Sequence, residues 1–223
     1  MWQWFLEGLF PRLCVRCGKE GADVCPTCFA TVFENAPRLA CPVCNTYSSI
    51  GARCGSCKGA LDGLLFCASY ADPVVRGLIE RWKFSFARTV EESLAQLFSR
   101  APLDRALAGD DWVVVPIPLH AKRKRWRGFN QAEWVARQVG TRLRLPVVQA
   151  LARTRATTQQ ARRSAEQKKR GDLSGVFEAA QPVTGRVILC DDVYTSGATM
   201  EAAASALKQA GATSVWGVAI ARS

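Results

Sequence analysis

The sequence predicts an α/β protein whose mostly parallel sheet has helices on both faces and is preceded by a small cysteine-rich module. Two observations lead to this prediction. From about residue 61 onward, short apolar segments typical of buried strands alternate with segments whose apolar residues recur at helical spacing. Before that point, glycine and proline interrupt a segment that holds four Cys-x-x-Cys pairs. Alternating strands and helices favour a parallel sheet covered on both faces.

Each element follows from a local pattern. Apolar segments predict strands at GLLFCASY, DWVVVPIP, LPVVQAL, GRVILCDD and TSVWGVAIA, and prolines end the second of them. Amphipathic spacing predicts helices at VVRGLIERWKFSF, VEESLAQLFSR, FNQAEWVARQVGTRL and ATMEAAASALKQAG. The apolar residues of MWQWFLEGLFP share one helical face, which predicts a short docking helix before the cysteines.

Length and composition predict one medium domain with a small one before it. The chain has 223 residues, of which 48% are hydrophobic, so a sizeable core is possible. We predict a boundary between residues 1–58, with the first helix and the cysteines, and residues 59–223. No apolar run approaches the roughly 20 residues of a membrane-spanning helix. The start of the chain lacks the basic region of a signal peptide, so a cytoplasmic protein is expected.

The charge of the chain makes anions the expected partners. It carries 30 Lys and Arg against 19 Asp and Glu, a net charge of +11. Nucleic acid and small polyphosphates are the two candidates, and a merely soluble basic surface is the alternative. Seven of the Lys and Arg residues lie in the polar segment 153–175. A connection of this length inside a compact domain is usually functional or disordered.

The paired cysteines indicate metal binding. Two Cys-x-x-Cys knuckles supply a tetrahedral shell of four thiolates, which suits structural zinc. We therefore expect two closed zinc sites and favour pairing in chain order, with a cross-braced arrangement as the alternative. A redox role or an iron–sulfur cluster is less favoured. The two remaining cysteines, Cys67 and Cys190, lie in apolar segments and are expected to fill the core. The eight predicted ligands are Cys14, Cys17, Cys25, Cys28, Cys41, Cys44, Cys54 and Cys57.

The segment VILCDDVYTSGATM predicts a phosphate site. The strand Val187–Cys190 is expected to end at the carboxyl edge of the sheet, where open α/β folds bind ligands. The helix that begins near Ala198 points its positive end at the preceding loop. Free backbone amides can therefore hold a phosphate dianion, and Gly197 allows the backbone to approach closely. The predicted phosphate-binding residues are Thr195, Ser196, Gly197, Ala198 and Thr199.

Two adjacent acids precede this loop, which suits a sugar phosphate better than a free phosphate. Asp191 and Asp192 can accept hydrogen bonds from two vicinal ribose hydroxyls. They can also stabilise positive charge that develops on the ribose ring. The acids would then face the sugar, and the amides would face its 5′-phosphate.

Basic residues follow the strand DWVVVPIP at the same edge of the sheet. Guanidinium groups suit pyrophosphate oxygens. Trp126 could stack on a base or cover a hydrophobic edge. His120 is expected to be a polar loop residue rather than a general base. The basic residues are Lys122, Arg123, Lys124, Arg125 and Arg127.

These motifs together support a resemblance to known proteins. An apolar strand, two acids and TSGAT resemble the signature of type I phosphoribosyltransferases, which bind phosphoribosyl pyrophosphate (PRPP). The combination of PIPLHxxRxRxRGFNQ, RTRxTxxQ and DDVYTSGAT behind two four-cysteine ribbons closely resembles the ComF (competence protein F) family over essentially the whole chain. That family joins zinc ribbons to a phosphoribosyltransferase-like domain and is associated with DNA uptake and natural transformation.

The resemblance implies roles for these residues. Asp191 and Asp192 would bind the ribose as the catalytic acids, and 195–199 would bind the 5′-phosphate. A hood at about 61–100 would select the acceptor, and the segment 153–175 would be the flap over pyrophosphate. Pyrophosphate and other anions would be bound by Arg123, Arg125, Arg127, Arg153 and Arg155.

Two functions are consistent with the sequence. In the first, the protein is a phosphoribosyltransferase that displaces pyrophosphate from PRPP with Mg²⁺, in DNA uptake or nucleotide metabolism. In the second, it is a non-catalytic protein that keeps the PRPP-binding fold and binds single-stranded DNA or DNA-uptake proteins. The retained acids and loop favour a working PRPP site. In the predicted hood, Lys83 and the aromatic residues could line the acceptor pocket, although packing is favoured for Trp82, Phe84 and Phe86.

Overall fold

A four-stranded parallel sheet forms the centre of the computed structural model, which describes residues 11–34, 38–84, 89–120, 125–154, 173 and 175–223. The strands of this sheet are β1 (Gly63–Ser69), β2 (Trp112–Pro116), β5 (Gly185–Tyr194) and β6 (Ala212–Arg222). Their spatial order is β1-β6-β5-β2, and every neighbouring pair is parallel. A separate antiparallel pair consists of β3 (Leu151–Arg153) and β4 (Phe177–Ala179). The predicted α/β class with a parallel sheet is confirmed.

Within the described ranges, four helices lie where amphipathic spacing predicted them, and two shorter helices, at 26–34 and 103–106, were not predicted. They are α1 (Pro26–Glu34), α2 (Pro73–Phe84), α3 (Val90–Ser99), α4 (Leu103–Ala106), α5 (Gln131–Leu143) and α6 (Ala198–Gln209). The strand predicted at LPVVQAL is wrong, because this segment forms only one bridge, from Val147 to Val114, before β3 begins at Leu151. The helix predicted at the start of the chain lies outside the described residues. Across the described ranges, no helix has both the length and the apolar character needed to cross a membrane.

Both faces of the sheet are buried, as parallel sheets require. Successive side chains of β5 point in opposite directions, so Val187 and Leu189 pack on one face while Ile188 and Cys190 pack on the other. The first face is covered by α6, and the second by α2, α3 and α5. Of the two unpaired cysteines, Cys190 is fully buried and Cys67 partly buried in this core, as predicted.

Strand β5 is longer than the sequence predicts. The apolar part of the predicted strand GRVILCDD ends at Cys190, and β2 ends opposite that residue, with Pro116 as its last partner. However, β5 continues beside β6 until Tyr194 pairs with Arg222. The carboxyl edge of the sheet is therefore stepped. Asp191 and Asp192 therefore lie in the part of β5 that still runs beside β6 on one side. On the other side, β2 has already ended.

The second half of the cysteine module adds to the edge of this sheet at β1. Ala52 bridges Gly63, and the Leu64 amide donates to the Gly51 carbonyl at 2.9 Å. Gly51 has a φ of +83°, and a Cβ there would collide with the Leu64 carbonyl, so glycine is required. The segment predicted as a hood thus begins with β1, a strand of the central sheet. Most of the predicted flap lies outside the described residues, and the boundary after residue 58 stays a prediction.

Candidate functional site

The eight paired cysteines form two clusters, each built from neighbouring pairs in the chain. In each cluster, the ligand atoms all lie within 4.8 Å of one another. Pairing in chain order is therefore confirmed, and the cross-braced alternative is excluded. The first cluster contains Cys14, Cys17, Cys25 and Cys28, and the second contains Cys41, Cys44, Cys54 and Cys57.

The geometry of both clusters fits a tetrahedral zinc ion. A Zn–S bond of about 2.3 Å in a tetrahedron requires sulfur atoms about 3.8 Å apart. Between knuckles, the Sγ atoms of Cys17 and Cys25 are 3.7 Å apart, and those of Cys44 and Cys54 are 3.6 Å apart. Backbone amides also point at the buried sulfurs, which stabilises thiolates. The Cys25 amide lies 3.4 Å from Cys14 Sγ, and the Val43 amide lies 3.4 Å from Cys41 Sγ. The clusters are thus compatible with two zinc sites.

The first cluster packs on α2. The Arg81 guanidinium donates to the Asp23 carboxylate at 2.8 Å and to the Leu13 carbonyl at 2.7 Å. Asp23 is almost fully buried, so this ion pair is largely shielded from solvent. On the same helix, a Cβ at Gly77 would press against Val15, which shows how closely the cluster approaches. The first cluster therefore supports the helix that ends at Phe84.

The second cluster packs against the predicted phosphate loop. The Tyr194 hydroxyl donates to the carbonyl of Pro42 at 2.9 Å, and Pro42 lies between two cysteine ligands. On α6, the Glu201 carboxylate accepts hydrogen bonds from the backbone amides of Ala60 and Leu61, just after the last ligand. The residues that flank the loop are thus contacted on one side by the cluster and on the other by the chain that leaves it.

The predicted phosphate loop has the expected local conformation. Gly197 has a φ of +78°, and α6 begins at Ala198 as predicted. A Cβ at Gly197 would collide with the Tyr194 hydroxyl, so this position needs glycine for its conformation and for space. The side chains of Thr195 and Ser196 are exposed, and those of Ala198 and Thr199 are partly exposed. The side chains around the positive end of α6 therefore reach solvent.

The two acids have different neighbours. Asp191 lines a small cavity that it shares with Thr195, Gly197 and Thr199. Asp192 instead forms an ion pair with Lys83, whose Nζ lies 2.7 Å from Asp192 Oδ2. Only 13% of the Asp192 side chain and 17% of the Lys83 side chain is exposed, so solvent screens this pair weakly. Only Asp191 lines the loop cavity, whereas Asp192 contacts α2.

The surroundings of Asp191 also change its titration. Burial, reinforced by the neighbouring Asp192 carboxylate, raises the pKa of Asp191 to about 7. A hydrogen bond of 2.9 Å from the Asp192 amide to Asp191 Oδ1 acts in the opposite direction, as do the charges of Lys83 and Arg153. Near neutral pH, Asp191 can therefore exchange a proton.

The basic residues predicted to bind pyrophosphate lie in different environments. Arg125 is exposed, whereas Arg127 is largely buried, with its Nη1 3.4 Å from Gln131 Oε1. Arg153 is partly buried, and its guanidinium lies 5.3 Å from the ring of Phe177. Its positive charge lowers the pKa of Asp191. Anion binding by these residues stays a prediction. The residues outside the described ranges are Lys122, Arg123, Lys124 and Arg155.

Aromatic side chains cluster around the end of α2, the helix that carries Lys83. Trp82 is fully buried against Trp134 and Phe129, as the packing interpretation predicted. Phe84 differs, because 56% of it is exposed and its ring centroid lies 5.7 Å from that of Trp126, itself 54% exposed. The Arg127 guanidinium lies 5.6 Å from the Phe84 ring. Phe86 lies outside the described residues, and His120 is an exposed loop residue.

The sequence RGFNQ joins these aromatic residues to the sheet. The Asn130 side chain accepts a hydrogen bond from the Ala132 amide and so caps α5. Its Nδ2 donates to the Ile117 carbonyl at 3.0 Å, just after β2 ends. Asn130 therefore fixes the start of α5 against the edge of the sheet where Asp191 and Asp192 lie.

Sequence reasoning missed the partner of Asp192 and the support of the loop. Lys83 was considered only as a possible pocket residue, although a single Lys after an apolar helix face could have indicated a functional position. Tyr194 received no role from the sequence, because a tyrosine between a strand and a glycine-containing loop carries no distinctive pattern. Nothing in the sequence relates Tyr194 to Pro42 or Glu201 to Ala60, since these pairs are far apart in the chain.

Comparisons with known proteins place the chain in a family. It is 31% identical over 220 aligned residues to the "DNA utilization protein YhgH" of Escherichia coli, covering 92% of this chain and 94% of that protein. It is 28% identical to "Competence protein F" of Haemophilus influenzae, over 74% of this chain and 77% of that protein. It is 26% identical to "Competence protein ComFC" of Bacillus subtilis, over 86% and 81%. No protein-family model matches the chain.

These similarities extend over most of each chain, and they agree with the parallel α/β sheet and the two four-cysteine clusters. The chain belongs to the ComF (competence protein F) family.

Proposed function

We propose that the protein binds PRPP at the carboxyl edge of the sheet and acts there as a phosphoribosyltransferase. The observation that carries this proposal is the cavity in which the carboxyl of Asp191 meets the loop 195–199 at the start of α6. The loop amides and hydroxyls suit a 5′-phosphate, and the carboxyl suits ribose hydroxyls. A site for phosphate alone would gain nothing from two acids, because their charge repels an anion.

The residues around this cavity account for the chemistry of glycosyl transfer. As the bond from ribose C1 to pyrophosphate breaks, positive charge develops on the ring, and the carboxylate of Asp191, which lines the cavity, stabilises it, with the charge of Asp192 acting from the adjacent position. Lys83 balances the charge of the two acids in the absence of the sugar. The charge of Arg153 acts on Asp191, so this guanidinium is close enough to the site to bind the departing pyrophosphate. The nucleophile then forms its bond to C1, and pyrophosphate leaves with the electron pair of the broken bond.

Magnesium fits the donor set of this site. Asp191 would supply a carboxylate oxygen, the hard kind of ligand that Mg²⁺ prefers, and PRPP itself would supply phosphate oxygens. When bound, the ion neutralises charge on the leaving pyrophosphate.

Calorimetric titration of PRPP with Mg²⁺ tests this proposal. The wild type is compared with Asp191→Asn/Asp192→Asn, which keeps the shape of both side chains and removes their charge. The chain offers a matched control in Asp110→Asn/Asp111→Asn, a second pair of adjacent acids, both exposed. We expect binding to the wild type and to the control, and its loss in the first variant. Absence of binding to the wild type at millimolar PRPP would reject the proposal.

A second function is favoured by the aromatic pair Phe84 and Trp126. Two exposed rings 5.7 Å apart, with the exposed Arg125 beside them, suit the stacking of bases in single-stranded DNA. The relatives named for DNA utilization and competence support a role of this protein in the handling of DNA. This function is compatible with PRPP binding, because the rings lie outside the loop cavity.

Fluorescence anisotropy with a labelled oligothymidine tests this second function. Each stacked ring contributes about 1–3 kcal/mol, so Phe84→Ala and Trp126→Ala should each weaken binding at least fivefold. Tyr47→Ala is the control, since Tyr47 is 68% exposed on the second cysteine cluster and far from Phe84 in the chain. If all three variants lose affinity for the oligothymidine equally, or if none loses any, base stacking at this pair is contradicted.

A further inference from the structure

The second cysteine cluster and the predicted phosphate loop are in direct contact. The contact involves the side chain of Tyr194, which is buried and precedes the loop, and the carbonyl of Pro42, at 2.9 Å. Pro42 is held between Cys41 and Cys44, two ligands of one knuckle. A bound metal ion would therefore restrain the position of the acceptor atom, because Pro42 directly follows Cys41 and lies two residues before Cys44 in the same knuckle.

The same tyrosine determines the shape of the loop. Its hydroxyl occupies the space that a Cβ of Gly197 would need, so the ring lies directly beneath the residue with positive φ. The Tyr194 carbonyl accepts a hydrogen bond of 2.9 Å from the Ser223 amide, and the guanidinium of Arg222 lies 5.4 Å from the ring. The ring is thus held in place from both the sheet and the cluster.

A second connection reaches the helix that follows the loop. The Glu201 carboxylate on the first turn of α6 accepts from the amides of Ala60 and Leu61. A Cβ at Gly59 would lie 3.1 Å from Glu201 Oε1, so the chain leaving the cluster passes close to this carboxylate. The Glu201 amide itself donates to the Gly197 carbonyl at 2.8 Å, which ties this residue to the loop.

We propose that the second cysteine cluster positions the sugar-phosphate loop, with Tyr194 and Glu201 as the positioning residues that transmit the presence of its metal ion. The ligand named in this inference is the one in the proposed function. The coupling between the second cluster and the loop can be measured without any ligand. The first cluster does not take part, because it packs on α2 through Arg81 and Asp23. Loading of the second cluster with zinc therefore sets the affinity of the loop for phosphate.

Hydrogen exchange and calorimetry on the full chain test this proposal. Tyr194→Phe removes only the hydroxyl, and Tyr47→Phe is the control on the same cluster. We expect Tyr194→Phe to speed exchange of amides in the first turns of α6 at least threefold and to weaken binding of PRPP with Mg²⁺ by about threefold to tenfold. Tyr47→Phe should change neither.

Replacing one ligand in each cluster tests the role of the metal. Cys44 and Cys17 are both exposed and occupy the same position in their knuckles. Cys44→Ser should speed exchange in the first turns of α6, whereas Cys17→Ser should leave that exchange unchanged. Equal effects of the two variants, or unchanged exchange in both Tyr194→Phe and Cys44→Ser, would overturn the proposal. If hydrogen exchange changes as expected but neither the wild type nor any variant binds PRPP, the second cluster does position the loop and the proposed ligand is wrong.

Discussion

Lys83 Nζ lies 2.7 Å from Asp192 Oδ2, although 109 residues separate the two in the chain. Lys83 belongs to the last turn of α2, and Asp192 lies in the part of β5 that extends past β2. The pair joins the predicted hood to the acids of the candidate site. It also provides a positive charge where two adjacent carboxyl groups would otherwise repel each other.

The raised pKa of Asp191 predicts a pH dependence of stability. Its pKa of about 7 lies above the roughly 3.9 of an unfolded aspartate, so the folded state binds the extra proton. Its contribution to stability is complete below about pH 4 and is lost as the pH rises through about 7. Relative to Asp191→Asn, the wild type should therefore lose about 1–3 kcal/mol of unfolding free energy between pH 5 and pH 8. Urea unfolding at the two pH values measures this, with Asp110→Asn as a surface control. If the unfolding free energies of the wild type and Asp191→Asn differ by the same amount at pH 5 and pH 8, the raised pKa is contradicted.

Removing the charge of Lys83 should move this titration. The ammonium group lowers the pKa of Asp191, so Lys83→Met, which keeps most of the side-chain length, should raise that pKa further. The midpoint of the pH dependence should rise by about one unit. Lys208→Met is a matched control, because Lys208 forms a similar pair with Asp62 at 2.9 Å, away from Asp191. The interpretation fails if both variants shift the midpoint equally.

Metal analysis should find about two zinc ions per chain in freshly reduced protein. Cys17→Ser and Cys44→Ser should each reduce this to about one, because the clusters share no ligand. The double variant should retain none. A content near zero in the wild type would exclude structural zinc.

Loss of the α5 cap should destabilise the protein. The Asn130 side chain bonds to both the Ala132 amide and the Ile117 carbonyl, so Asn130→Ala leaves two buried backbone groups without a partner. We expect a loss of about 2–3 kcal/mol in urea unfolding. Thr89 is the matched control, because it precedes α3 without forming a side-chain cap, and Thr89→Ala should cost much less. Similar costs for the two variants would contradict the role of Asn130.

Local patterns were sufficient to predict most of the fold. Period and composition placed the strands of the parallel sheet and the four longest described helices, since buried parallel strands are continuously apolar and these helices have an apolar stripe. The end of β5 could not be predicted in this way. Asp191 and Asp192 are unfavourable in an isolated strand, and only pairing with β6 as far as Arg222 extends the ladder past them.

The candidate site was predictable where its residues are adjacent in the chain. The positive φ of Gly197 and the start of α6 at Ala198 follow from TSGAT alone. The contacts that distinguish the two acids were not predictable, because Lys83 reaches Asp192 only through the packing of α2 on the sheet. The same holds for the bond from Tyr194 to Pro42, which joins elements 152 residues apart.

The separation of the two acids also limits how this strand can vary. Because β5 alternates its side chains, inserting or deleting one residue between Leu189 and Asp191 would exchange the surroundings of Asp191 and Asp192. The carboxyl beside the loop would then face α2, and the carboxyl beside Lys83 would face the loop. Apolar residues in β5 can replace one another at small cost, but the number of residues between its core and its acids is fixed by the chemistry on each face.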